Sequence, residues 1–273
     1  MKKILPLIFI ALTAIIFVGC GEDKNSAPFI KVGMLQHLNV VEKEFNSFMK
    51  KIDDILGTSS TSHEVIYFKN LTSMQMALES GQIQEISTYK CVADYLINRN
   101  PKIEIINEHT QKFIDTFCFA VRAEDTDLKN SLNEIIEEMR ADGTLGKIRK
   151  EYINVNENPA SVEFGNFGDA ETLKIGITGD LPPLDLILAD GTPAGFNTAL
   201  ISEIGKRLQK NIEIIHVDSA SRATALSSGK VDIIFWVILP LSEIFPENMD
   251  KPDGIELTSP YYRDKIVHLE IKK

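Results

Sequence analysis

Three cysteines, one tryptophan and five histidines in 273 residues leave little material for several chemistries. A basic excess is also missing: 29 Lys and Arg stand against 39 Asp and Glu, for a formal net charge of −10. Binding to phosphates needs the opposite balance, which excludes nucleic acid as a partner. The histidines are scattered and no Cys/His spacing marks a metal site, so neither a metal nor another cofactor is expected. Cys91 (YKCVADYL) and Cys118 (TFCFAV) sit in apolar surroundings, where buried free thiols are common. A disulfide between them is the alternative if the compartment is oxidising. The apolar run Ile4–Val18 falls short of the ~20 residues of a comfortable membrane span. Preceded by Lys2-Lys3, it reads as a secretory signal over residues 1–19.

What the chain does have is an alternation of strands and helices. Apolar content of 44% and charged content of 25% predict a folded globular protein. Leu173–Thr178 is predicted as a strand that breaks at Gly179-Asp180, and Pro182-Pro183 stiffen the turn that follows. A helix starts at Gly195-Phe196-Asn197-Thr198, with Asn197 or Thr198 as its cap and Ala199, Leu200, Ile204 and Leu208 as its apolar stripe. Asn211–Val217 is a second strand, Ser219–Ser228 a second helix ended by Gly229, and Val231–Phe235 a third strand. This alternation implies a parallel sheet with crossover helices. Small ligands bind beyond the carboxyl ends of such strands, here at Gly179-Asp180, Asp218-Ser219 and Trp236.

The amino-terminal part repeats the theme. Strands are expected at Phe29–Met34, His63–Phe68 and Gln82–Ile86, and helices at Val41–Leu56, Ser73–Glu79 and from Val92. Ala77–Ile86 (ALESGQIQEI) echoes Ala225–Ile234 (ALSSGKVDII), each a helix that ends at glycine and runs into a buried strand. Phe117–Arg122 follows as a strand, then helices at Asp127–Met139 and Leu145–Ile153. Residues 154–172 carry Pro, Gly and polar side chains with little periodicity and read as a linker.

The motifs TGDLPPL, DGTPAGFNTALISEIGKRL, ALSSGKVDII and TSPYY resemble the first lobe of the type II solute-binding proteins of ABC importers, in their polar-amino-acid branch. Thr116–Tyr152 resembles that family's carboxyl-terminal stretch, and Ile30–Ile105 its second lobe. Phe17-Val18-Gly19-Cys20 resembles a bacterial lipobox, which implies cleavage before Cys20 and lipidation of that cysteine. The resemblance implies an α/β, bilobed periplasmic-binding-protein type II fold, two lobes joined by hinge strands, with the lobe order circularly permuted. Residues 20–28 would be a tether, 29–116 lobe two, 117–153 a hinge strand with helices returning to lobe one, and 173–273 lobe one. The hinge is expected at Thr116–Phe119 and near Tyr262–His268.

The implied function is that of an exported, lipid-anchored receptor. It would bind a small polar, possibly anionic and amino-acid-like solute, and dock on an ABC permease in the membrane. On this resemblance Ser219 and Arg222 keep the family's anion grip, Asp180 and Leu184 occupy the loop that usually presents an aromatic platform, and Asn197 stands where the family often has Asp. Trp236 is a candidate platform, and Gln36, His37, Asn39, Thr88 and Tyr89 are the polar candidates of lobe two. The family's second arginine clamp, its lobe-two aspartate and its Gly-Thr-Thr are absent here. No catalytic group is required. The rival readings are a sensor or adaptor with a degenerate cleft, and a dehydratase-like enzyme using Asp180 or Asp185 as a carboxylic acid of raised pKa.

Overall fold

The computed structural model describes residues 29–35, 62–106, 114–153, 159–218, 221–238 and 253–272. The expected signal, tether and Cys20, the helix Val41–Leu56, and Gln36, His37, Asn39 and Ser219 lie outside them.

The chain begins with β1 (Phe29–Leu35), β2 (Ser62–Phe68), α1 (Leu71–Glu79), β3 (Glu85–Tyr89), α2 (Lys90–Arg99) and β4 (Ile103–Ile105). Then come β5 (Ile114–Arg122), α3 (Thr126–Ala141) and α4 (Thr144–Tyr152). The remainder is β6 (Thr172–Ile177), β7 (Asp180–Leu181), β8 (Asp185–Ile187), β9 (Pro193–Ala194), α5 (Phe196–Leu208), β10 (Asn211–His216), α6 (Arg222–Ser227), β11 (Ile233–Ile238), β12 (Ile255–Leu257) and β13 (Tyr262–Ile271). The class is mixed α/β, as the alternation predicts.

Ten strands form one curled sheet that reads as two matching halves. In one, β2, β1 and β3 are parallel and β13 closes the edge antiparallel. In the other, β10, β6 and β11 are parallel and β5 closes the edge antiparallel. β4 lies on β13 as β12 lies on β5. The closing strands are exchanged: β5 follows β4 in the chain but edges the far half, and β13 follows β12 and does the reverse. They meet along Ile114–Phe117 and Tyr262–Lys265, which unites the halves. The stretches Thr116–Phe119 and Tyr262–His268 fall within these two crossing strands.

The repeated helix–glycine–strand connection shows how local sequence builds this. Gly81 and Gly229 take the positive φ that ends a helix cheaply, at 74° and 71°. The next hydrophobe hooks back on the same carbonyl in each, Ile83 to Ala77 and Val231 to Ala225, both at 3.2 Å. Gln84 and Asp232 then join the central strands, their side chains accepting the N–H of Lys31 and Lys174.

A continuous apolar core runs from Leu71, Met74 and Ile86 in one half to Phe119, Phe196, Leu200 and Ile204 in the other. Each fully buried side chain of this size contributes about 1.5–3 kcal/mol. A smaller cluster gathers Ala120, Val217, Leu226, Ile234, Trp236 and Ile255 on the opposite sheet face.

One local expectation is corrected. The α5 start has Gly195 as its cap, with no side-chain capping bond. Asn197 turns inward to accept from the Tyr261 hydroxyl, and the Thr198 hydroxyl donates to the Ala194 carbonyl. The part of the expected linker that is described is also packed. Ser161 bridges Ala194, Val162 is buried, and the Ser202 hydroxyl donates to the Glu163 carbonyl. Cys91 and Cys118 are free, buried thiols, and burial pushes the Cys118 thiol up to about 12.

Candidate functional site

β6 and β10 end side by side because they are parallel neighbours, and their carboxyl ends face the amino terminus of α1 from the other half. Between them is a cavity of about 690 Å³. Lys69, Asn70, Thr72, Ser73 and Met76 form one wall, and Thr178, Asp180, His216, Asp218 and Ser221 line the other. The α1 wall exists because Asn70 caps that helix, its side-chain oxygen accepting the Ser73 N–H at 2.8 Å. Across the cavity, the Asp180 carboxylate accepts the Leu71 N–H at 3.3 Å, so an acid from one half sits at the positive end of a helix from the other.

Behind Asp180 lies a buried charge centre. Asp185 on β8 is 5% exposed and accepts from the Thr178 hydroxyl. Burial first, and then the Asp180 charge, raise its carboxyl to about 6. Arg222, the first residue of α6, donates from Nη1 to the Phe235 carbonyl at 3.2 Å. Burial lowers its pKa, opposed chiefly by Asp185 and then by Tyr89 and Asp180. The three-stranded ribbon β7-β8-β9 carries both aspartates and folds them over the end of β6.

Of the residues expected at the site, Asp180 lines the cavity and Arg222 lies just behind it. Tyr89, at the start of α2, is an electrostatic neighbour of Arg222 from the opposite half and packs edge-on to Phe117 at 4.9 Å. Thr88 is buried in β3 opposite Val267. Leu184 is wholly buried in the main core, because the ribbon turns it inward onto α5. Trp236 is 2% exposed within the smaller cluster, and its Nε1 has no hydrogen-bond partner among the described residues. It is a core side chain here and presents no platform. None of the α1 wall is among the residues expected at the site, although Asn70 before Leu-Thr-Ser is a recognisable helix cap. Among the described residues no helix is long and apolar enough to cross a membrane, and no group of three metal-binding side chains occurs.

Residues 173–239 match the family model of bacterial extracellular solute-binding proteins, family 3. A probable histidine-binding protein of Campylobacter jejuni is 32% identical over 103 residues, which is 37% of this chain and 36% of the relative. The chain thus spans about a third of the length of that curated relative. Among solved structures, a ligand-binding component of an ABC-type import system from Staphylococcus aureus is similar at 15% identity and a TM-score of 0.44, over 89% of this chain and 66% of its own. The periplasmic aliphatic sulphonate binding protein of Escherichia coli is similar at 9% identity and a TM-score of 0.41, over 89% and 65%. The family resemblance is thus carried by residues 173–239, which lie within a mixed α/β architecture.

Proposed function

We propose that the chain is an exported receptor, lipid-anchored through Cys20, that delivers a small polar solute to an ABC permease. The solute is held in the 690 Å³ cavity between α1 and the ends of β6 and β10. One observation carries this reading: the two walls come from opposite halves of the curled sheet, and those halves are joined through the exchanged strands β5 and β13. Bending at that junction opens and closes the cavity as a hinge. In this reading the two halves are the two lobes of a type II binding protein, and their order along the chain is circularly permuted. Residues 29–116 form lobe two together with the end of β13, residues 173–273 up to that strand form lobe one, 117–153 return to lobe one and 154–172 join the usual ends. The family match over residues 173–239 supports the assignment, as does the name of the histidine-binding relative.

The test is thermal denaturation of the purified chain against a panel of amino acids, amines and small acids. A solute bound only by the folded state raises stability by about 2.7 kcal/mol at one hundred times its Kd. A panel in which no solute raises the melting temperature overturns the receptor reading. Anchoring has its own test: Cys20→Ser is expected to move the protein from the membrane fraction to the soluble fraction.

A further inference from the structure

We infer, resting on the receptor reading above, that the cavity selects a small organic cation without a carboxylate: an amine, a guanidine or an imidazole. The described titratable groups of the lining are Asp180 and Asp218 against Lys69, with the His216 imidazole at the end of β10, and Asp185 and Arg222 lie behind Asp180 as an opposed pair. The one arginine of this centre is already engaged. Arg222 donates to the Phe235 carbonyl, and its strongest opposite charges are Asp185 and, further on, Asp180.

The other position suited to a carboxylate is the α1 amino terminus, where free N–H groups and the helix dipole favour an anion. Asp180 fills it from across the cavity. A carboxylate on the solute would have to displace Asp180 from that helix end or lie against it and Asp218, with Lys69 alone set against the two acids. A cation meets the reverse arrangement. Asp180 and Asp218 come from the ends of neighbouring strands, and Asp218 has no side-chain partner among the described residues. The remainder of the α1 wall is neutral. Asn70, Thr72 and Ser73 offer hydrogen bonds, and Met76, 65% exposed, offers a soft apolar surface to methylenes or a ring.

The experiment compares amino acids with their decarboxylated amines on the full chain by titration calorimetry: arginine with agmatine, histidine with histamine, and glutamate alone as the anion. Agmatine or histamine is expected to bind at least tenfold more tightly than its parent amino acid, and glutamate not at all. Asp180→Asn is expected to weaken the amine at least tenfold and to narrow its advantage over the parent. Asp218→Asn, at an exposed site that does not threaten folding, is expected to weaken the amine severalfold. Tighter binding of the parent amino acid or of glutamate overturns the inference and leaves the receptor reading standing. Amine affinity unchanged in both variants also overturns it. If no solute of either sign binds, the receptor reading falls and the inference with it.

Discussion

The connections Ala77–Ile86 and Ala225–Ile234 are the same device used twice, and the helices that lead into them differ at one telling position. Met74 and Arg222 each stand three residues before the shared alanine. Met74 is fully buried in the main core. Arg222 carries a guanidinium into the same layer of the opposite half, and there Asp185 and the Phe235 carbonyl must answer it. Elsewhere the equivalence is close. Both connections end in a glycine at positive φ, and both central strands carry a glycine, Gly33 and Gly176, where a side chain of the other elements presses close. The scaffold is therefore repeated, and the buried Asp185–Arg222 charge centre belongs to the half whose helix start has exchanged an apolar group for a charged one.

The largest expected effect comes from erasing that exchange. Arg222→Met leaves Asp185 buried without its main opposite charge, at a cost of about 3 kcal/mol near pH 8. The cost shrinks towards pH 5, because a carboxyl with a folded value of about 6 is then protonated. The sign follows from linkage. Asp185 is raised above its unfolded value, so its contribution to stability is best at low pH and declines as pH rises from about 4 through 6. Urea denaturation at pH 5 and 8 checks this, and a loss independent of pH would show that the two groups are not coupled.

Next are the paired central-strand glycines. A Cβ at Gly176 would lie 2.8 Å from Val217 Cγ2 and 3.0 Å from Ile234 Cγ2, both on stiff branched side chains. At Gly33 the nearest atom is Ile83 Cδ1 at 2.5 Å, a terminal methyl that can swing aside. Gly176→Ala is expected to cost about 2–3 kcal/mol and Gly33→Ala about 1 kcal/mol less, read from the urea midpoint. Equal costs would mean that the two halves pack with the same tolerance.

A smaller and symmetric effect is expected at the connecting glycines. Nothing lies within 4 Å of a Cβ added at Gly81 or Gly229, so Gly→Ala there costs only the left-handed backbone, about 1 kcal/mol at each. Melting temperatures that differ widely between the two variants would break the equivalence. The smallest effect separates the helix starts. Asn70→Ala removes a capping bond and is expected to cost about 1 kcal/mol, whereas Ser221→Ala removes none and should be nearly silent.

Much of the scaffold was readable from residues alone, because its causes are local. Period-two and period-3.6 patterns placed β6, α5 and β10 to within a residue and β11 to within three, and the echo of ALESG and ALSSG pointed to the repeated connection. The site was less readable. Asp180 lines the cavity, Arg222, expected as an anion grip, lies behind it and donates to the Phe235 carbonyl, and the roles expected of Leu184 and Trp236 do not survive their burial. A leucine after Pro-Pro and a tryptophan at a strand end give no local sign of which face they turn to. Asp185 drew attention only as a carboxylic acid, since nothing near it in the chain signals an arginine neighbour.

The amino-acid order by itself determined the α/β alternation, the glycine-ended helices and the excess of acid over base. Each of these depends on neighbours a few residues along the chain, where periodicity and backbone conformation act. Tertiary structure alone decided which strand closes which half, that Leu71 and Asp180 meet across a separation of 109 residues, and that Arg222 is answered by Asp185. These are matters of charge and burial between distant segments. Their energies are set by distance and desolvation in the folded state, and no local pattern encodes either.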